Sequence, residues 1–283
     1  MNLKHKIGKA IKILRSEGPI ALVKKLKRYL ANKYGLGRSD GAYRPDESAI
    51  AFEVLNGDRI KGLMIDVGAH YGGALAPFAL GGWQVLAFEP DSKNREKLVE
   101  SFGDSQNVII DARAVSDQAR EKAVLYRSEE SSGISGLSSF LPSHKVAEEI
   151  EVTTLKNVID EGGFEQEEVS FLKIDTEGFD LHVLRGFPWL TSSPHLILCE
   201  FEDAKTIPLG YSFHDLADFL VGHGYRLIVS EWHPITRYGD THDWRRFAPY
   251  PCQLEDPKAW GNIFATNKDD IYESLLKICN LGS

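Results

Sequence analysis

The run Met64-Ile-Asp-Val-Gly-Ala-His-Tyr-Gly-Gly73 ends an apolar stretch in an acid and then breaks into glycines. A dinucleotide loop would carry GxGxxG at such a place, so that its glycines and a helix N-terminus cradle a pyrophosphate. Here Gly68 and Gly72 flank His70, which stands where the second glycine would be, and Asp66 precedes the turn. A carboxylate aimed into the loop repels a pyrophosphate and attracts a cation. S-adenosylmethionine answers that description: it carries an ammonium, a sulfonium and one short carboxylate for the helix N-terminus. Asp66, Gly68, His70 and Gly72 are therefore the first cofactor-binding candidates.

Further acids close later apolar runs. Glu89 ends WQVLAFE directly before Pro90, where a carboxylate can accept both hydroxyls of a ribose. The stretch FLKIDTEGFDLHVLRGF, Phe171 to Phe187, places Asp175 and Glu177 after another run, and HLILCEF carries Glu200. An acid at such a strand end could act as a positioned base toward a hydroxyl, or hold a metal that acidifies it. Asp175 is expected beside the cofactor, in reach of its ammonium. Glu177, two residues on, is expected to face the acceptor as base, with Glu200 as a second catalytic candidate. Asp175, Glu177, Glu200 and Glu202 could also form an oxygen-rich cage for magnesium. The same acids serve equally well to cap helices, and no ligand spacing marks them out, so a divalent metal is allowed but not favoured. Among the histidines, His182 and His214 sit in helical patterns and read as structural. His233, in a polar aromatic segment with His242, is the third catalytic candidate.

These side chains need a scaffold that brings strand ends together. Gly62 to Val67, Trp83 to Glu89, Val108 to Asp111, Val169 to Ile174, His195 to Phe201 and Tyr225 to Ser230 read as strands. Helices are expected over Gly72 to Leu80, from Asp91 or Ser92 to Phe102, near Phe179 to Leu184 and over Phe213 to Gly222. Runs apolar on both faces and separated by helices indicate an α/β fold with a mainly parallel, doubly covered sheet. GNIFAT is expected to return as a last, antiparallel strand. Lys122 to Thr153 breaks the rhythm and reads as a hairpin plus the Ser/Gly-rich loop SEESSGISGLSSF. The insertion 230–260 interleaves flat rings with arginines and acids, a composition suited to the wall of a pocket for a polar, ring-shaped substrate.

Charge divides the chain. Residues 1 to 40 carry 11 Lys/Arg against Glu17 and Asp40, whereas the rest carries 22 against 39. Apolar positions at helical spacing, interrupted at Gly18-Pro19, make this head a basic helical pair, an extension separate from the domain at 41–283. It is suited to packing on the acidic body, to a peripheral membrane or protein contact, or to a homo-oligomer. Nucleic acid is not expected as a partner of the acidic body. Three scattered cysteines, no signal-peptide core and no membrane-length apolar stretch point to the cytoplasm, with a peripheral place at the inner membrane face left open.

DVGAHYGG, LAFEP, RAVSD, GLSSF, LKIDTEGFDLHVLRGF and ILCEF, in this order over Met64 to Phe201, resemble the FkbM-type methyltransferases. KIDTEG followed by VLRG is long enough to be specific. Two positions depart from the family's habit: His70 stands where Asn is common, and Ala74 where Ser or Thr often opens the helix. The resemblance implies a Rossmann-like class I methyltransferase with a seven-stranded sheet whose last strand is antiparallel. It adds Arg113 and Ala114 of RAVSD to the cofactor-binding candidates. It also implies S-adenosylmethionine as methyl donor and, as acceptor, a hydroxyl of a glycan or glycosylated intermediate from polysaccharide assembly or natural-product tailoring. A small-molecule O-methyltransferase, a nicotinamide oxidoreductase and an inactive cofactor-binding scaffold are the alternatives.

Overall fold

Along the chain, α1 (Glu47–Gly57) and β1 (Leu63–Val67) are followed by α2 (Ala76–Leu80), β2 (Gln84–Phe88), α3 (Ser92–Phe102) and β3 (Val108–Asp111). β4 (Ala114–Val115), β5 (Arg120–Ser128) and β6 (His144–Thr153) form a separate small sheet, and α4 (Leu155–Gly162) leads back to β7 (Val169–Ile174). Then come α5 (Asp180–Arg185), β8 (Leu196–Glu202), the short α6 (Asp203–Thr206), α7 (Phe213–Gly222), β9 (Arg226–Trp232), β10 (Trp244–Pro249), β11 (Trp260–Thr266) and α8 (Asp269–Ile278). The computed structural model describes residues 43–57, 62–128, 130–162, 168–238 and 240–282. The basic helical pair expected over residues 1 to 40 lies outside the described residues. No helix among those described is long and apolar enough to cross a membrane.

The main sheet runs β10-β9-β11-β8-β7-β1-β2-β3. β3, β2, β1, β7 and β8 are mutually parallel, and β11 lies antiparallel between β8 and β9. The central strands are buried along their whole length, which is why they read as continuous apolar runs. Alternation still divides them: Leu63, Ile65 and Val67 join one core with α4, α5 and α7, while Met64 joins the other with α1, α2 and α8.

Connectivity decides where a ligand can bind. The chain leaves β1 toward β2 and β3, then returns to β7 on the other side of β1, so the order reverses between β1 and β7. At such a switch point the flanking helices diverge and leave a crevice beyond the carboxyl ends of the strands. The loops after β1, β2, β7 and β8 all open there.

Two expectations are corrected. The sheet has eight strands, because part of the segment read as an insertion, Trp244 to Pro249, pairs antiparallel with β9 as an edge strand. Arg246 meets the buried Glu231 at 2.8 Å, and Phe247 packs its ring near Trp244 and Phe264. The first core helix starts at Ala76 rather than Gly72, since Gly72 sits at φ +79° and ends any helical path there. Lys122 to Thr153 does form the hairpin, β5 against β6, with the Ser/Gly-rich loop between them.

Candidate active site

The glycine loop is built around one close approach. Gly68 has φ +83°, and a Cβ there would lie 1.9 Å from the backbone carbonyl oxygen of Asp175, so β1 and β7 can end side by side only without a side chain. Gly72 serves packing: a Cβ would strike Phe102 and Leu98 of α3, and the residue does not line the cavity.

Asp66 does not aim into the loop. Strand alternation turns it to the sheet face, where its register partner is Lys173 on β7. Asp66 is fully buried, and the Lys173 ammonium stands 3.2 Å from its carboxylate. Burial pushes the Asp66 carboxyl up and Lys173 opposes this. The same ammonium donates to the Gly68 carbonyl at 3.1 Å and lies 3.4 Å from Asp175. Lys173 thus ties both strand ends and neutralises the acid that sequence reading placed in the site.

A cavity of about 370 Å³ opens over these ends. On the β1–β2 side it is lined by Gly68, His70 and Glu89. Glu89 accepts the backbone N–H of His70 at 2.7 Å and that of Asp91 at 2.9 Å, which fixes its rotamer. Burial raises its carboxyl to about 7. His70, at φ +50°, turns its ring onto Tyr71 and meets Ser132 Oγ at 3.1 Å, with burial lowering its pKa. Ala114 lines the cavity. Arg113 does not, because its guanidinium is taken by Asp111 and Glu161.

The Ser/Gly-rich loop closes this side. Ser135 donates to Asp91 at 3.0 Å, Arg127 pairs with Asp91 at 2.6 Å, and the Asn94 amide donates to the Ser132 carbonyl. Asp91 also caps α3 by accepting from Lys93 and Asn94, so one carboxylate joins helix start and loop.

On the β7–β8 side, Asp175, Glu177 and Glu200 each offer an oxygen within 4.8 Å of one another. Glu177 has φ +56° and is followed by Gly178 at φ +103°. A non-glycine residue in that region is strained by on the order of 1 to 3 kcal/mol, and the surroundings hold it there. Asp180 accepts the Thr176 hydroxyl at 2.9 Å and the Glu200 N–H at 3.0 Å, while Tyr211 donates to the Gly178 carbonyl at 2.6 Å. Burial raises Glu177 to about 7 and Glu200 well above its ordinary value, opposed in both cases by the ammonium of Lys205.

Lys205, on α6, went unread in the sequence. It is 3% exposed and lies 2.5 Å from Glu177, 2.7 Å from Glu202 and 3.4 Å from Glu200. The available signal was its place just beyond a strand that ends in two acids. Over this cluster stand Tyr238, His242 and Trp260, which line the cavity as the aromatic segment suggested. Tyr238 donates to Glu202 at 3.1 Å. His233 is not there: it is exposed, and its ring meets Arg245 at 3.0 Å. On this side of the cavity the lining histidine is His242 instead.

The family profile described as "Methyltransferase FkbM domain" matches residues 66–227. No curated protein sequence matches the chain. Similar solved structures include an O-methyltransferase from Bacillus cereus in complex with SAH, at 11% identity and TM-score 0.42, covering 87% of this chain and 91% of that one. A precorrin-6y C5,15-methyltransferase from Geobacter metallireducens is 12% identical with TM-score 0.37, over 81% of this chain and 96% of that one. An rRNA methylase from Streptococcus thermophilus is 9% identical with TM-score 0.41, over 80% and 98%. The acceptor must be read from this chain's own cavity. With the match spanning more than half of the sequence, from Asp66 through the acids after β7 and β8, the chain belongs to the FkbM family of S-adenosylmethionine-dependent methyltransferases.

Proposed function

We propose that this methyltransferase methylates a hydroxyl of a glycan or glycosylated intermediate. The observation that carries the reading is the buried Glu177, held in a strained turn beside Glu200 at the cavity end roofed by Tyr238 and Trp260. Flat rings over carboxylates suit a polyhydroxylated ring, which offers C–H faces to stack and O–H groups to donate.

The donor's residues fit the other end. Glu89 has lone pairs left after its two backbone bonds and suits ribose hydroxyls, Gly68 permits close backbone approach, and the half-exposed Asp175 suits an ammonium. When bound, S-adenosylmethionine supplies an electrophilic methyl with its own leaving group. The chain's task is to hold the acceptor oxygen in line, a positioning contribution of up to about 7 to 11 kcal/mol. Glu177, ionised, takes the hydroxyl proton as the oxygen attacks.

The test is to incubate the protein with methyl-labelled S-adenosylmethionine and fractionated glycans and glycosylated small molecules, then locate the label by mass spectrometry. Label on a sugar oxygen is expected. Label only on non-sugar molecules would replace the acceptor class. The donor site has its own test: Glu89→Gln should weaken S-adenosylhomocysteine binding by about 1.5 to 3 kcal/mol, the worth of charge-assisted hydrogen bonds. Because the ionised carboxylate accepts the hydroxyls, parent affinity should rise with pH through about 7. Calorimetry that finds no pH slope, or unchanged affinity in the variant, removes Glu89 from the ribose role.

A further inference from the structure

The acids after β7 and β8 have the donor set of a divalent-cation site, since Asp175, Glu177 and Glu200 each contribute an oxygen within 4.8 Å of the others. The Lys205 ammonium stands beside two of them, Glu177 and Glu200, with Glu202 as its third carboxylate. Lys205 Nζ stands at ion-pair distance from Glu177, Glu202 and Glu200, at 2.5, 2.7 and 3.4 Å, and donates a hydrogen bond to Glu200. Its stem is fixed on one side by Gly178, where a Cβ would lie 3.2 Å from Lys205 Cβ. On the other side, the rings of Phe140 and Tyr238 lie 5.5 and 5.6 Å from the charge. A buried lysine held in this way lacks the freedom to swing out and admit a second cation.

We propose that Lys205 is a built-in cation that occupies the divalent-metal position of the acceptor-side carboxylates and holds Glu177 toward the acceptor. Lys205 is thus a positioning residue. Its role rests on the reading of Glu177 as base, but cation occupancy can be tested without any acceptor. A failure to methylate hydroxyls would overturn that reading and leave the cation result standing.

The experiment titrates Mn²⁺ into the parent protein and into Lys205→Ala, followed by calorimetry and paramagnetic resonance. S-adenosylhomocysteine binding serves as the check of fold. Removing one unit of positive charge at contact distance should tighten Mn²⁺ binding at least about tenfold over the parent. Adding Glu177→Gln to Lys205→Ala should abolish the gain, which a merely structural lysine would not produce. Should Lys205→Ala fail to fold, Lys205→Met keeps the apolar stem and makes the same comparison. Two results overturn the proposal: no Mn²⁺ gain in a folded variant, or a parent that binds Mn²⁺ as tightly and loses it on Glu177→Gln alone.

Discussion

Glu177→Gln lowers turnover by about 10² to 10⁴-fold, the usual contribution of a positioned general base, while S-adenosylhomocysteine affinity stays near that of the parent. The amide keeps the shape of the carboxylate but cannot take the hydroxyl proton. Its effect is separable from donor binding because Glu177 follows β7, whereas Glu89 follows β2, two strands away in the sheet. The parent's rate should rise with pH through about 7, where burial has placed the Glu177 carboxyl, and the variant should lose that rise. Single-turnover rates with the labelled acceptor are the measurement. Parent-like turnover in Glu177→Gln would make the residue structural and move the base to Glu200.

Lys173→Met destabilises the fold by about 3 to 5 kcal/mol, because it leaves Asp66 as a buried charge without its partner. The pair is at the centre of the sheet, Asp66 is fully buried, and the lysine also holds the Gly68 carbonyl and Asp175. The deficit should grow with pH. Without Lys173 the folded-state pKa of Asp66 moves still further above its unfolded value of about 3.8. Stability in the variant is then fully present below that value and is lost as pH rises through the folded one. Asp66→Asn combined with Lys173→Met should recover much of the loss. Denaturant unfolding at pH 5 and pH 8 reads both effects, and a loss under about 1 kcal/mol would show that the pair does not hold the strand ends.

Local sequence determined the central strands, their parallel character and the family. A strand buried on both faces must be apolar throughout, a ligand loop at a strand end must break into glycine, and both rules leave marks within a few residues. Glu89, Asp175, Glu177 and Glu200 were legible for the same reason: an acid that closes a buried strand faces the crevice wherever such strands run parallel. Direction and partnership were not legible. Asp66 reads as a site acid until strand alternation and register set it against Lys173, 107 positions away in the chain. Arg113 and His233 lie in or near the right segments, yet Asp111 with Glu161 and Arg245 claim their side chains. Lys205 takes its meaning from three carboxylates, two on β8 and one in the turn after β7. Burial makes that cluster matter, and burial is a property of the packed sheet and the loops over it. Tertiary structure alone decided which charges meet out of water, because the strength of a charge's interactions depends on what surrounds it rather than on its place in the sequence.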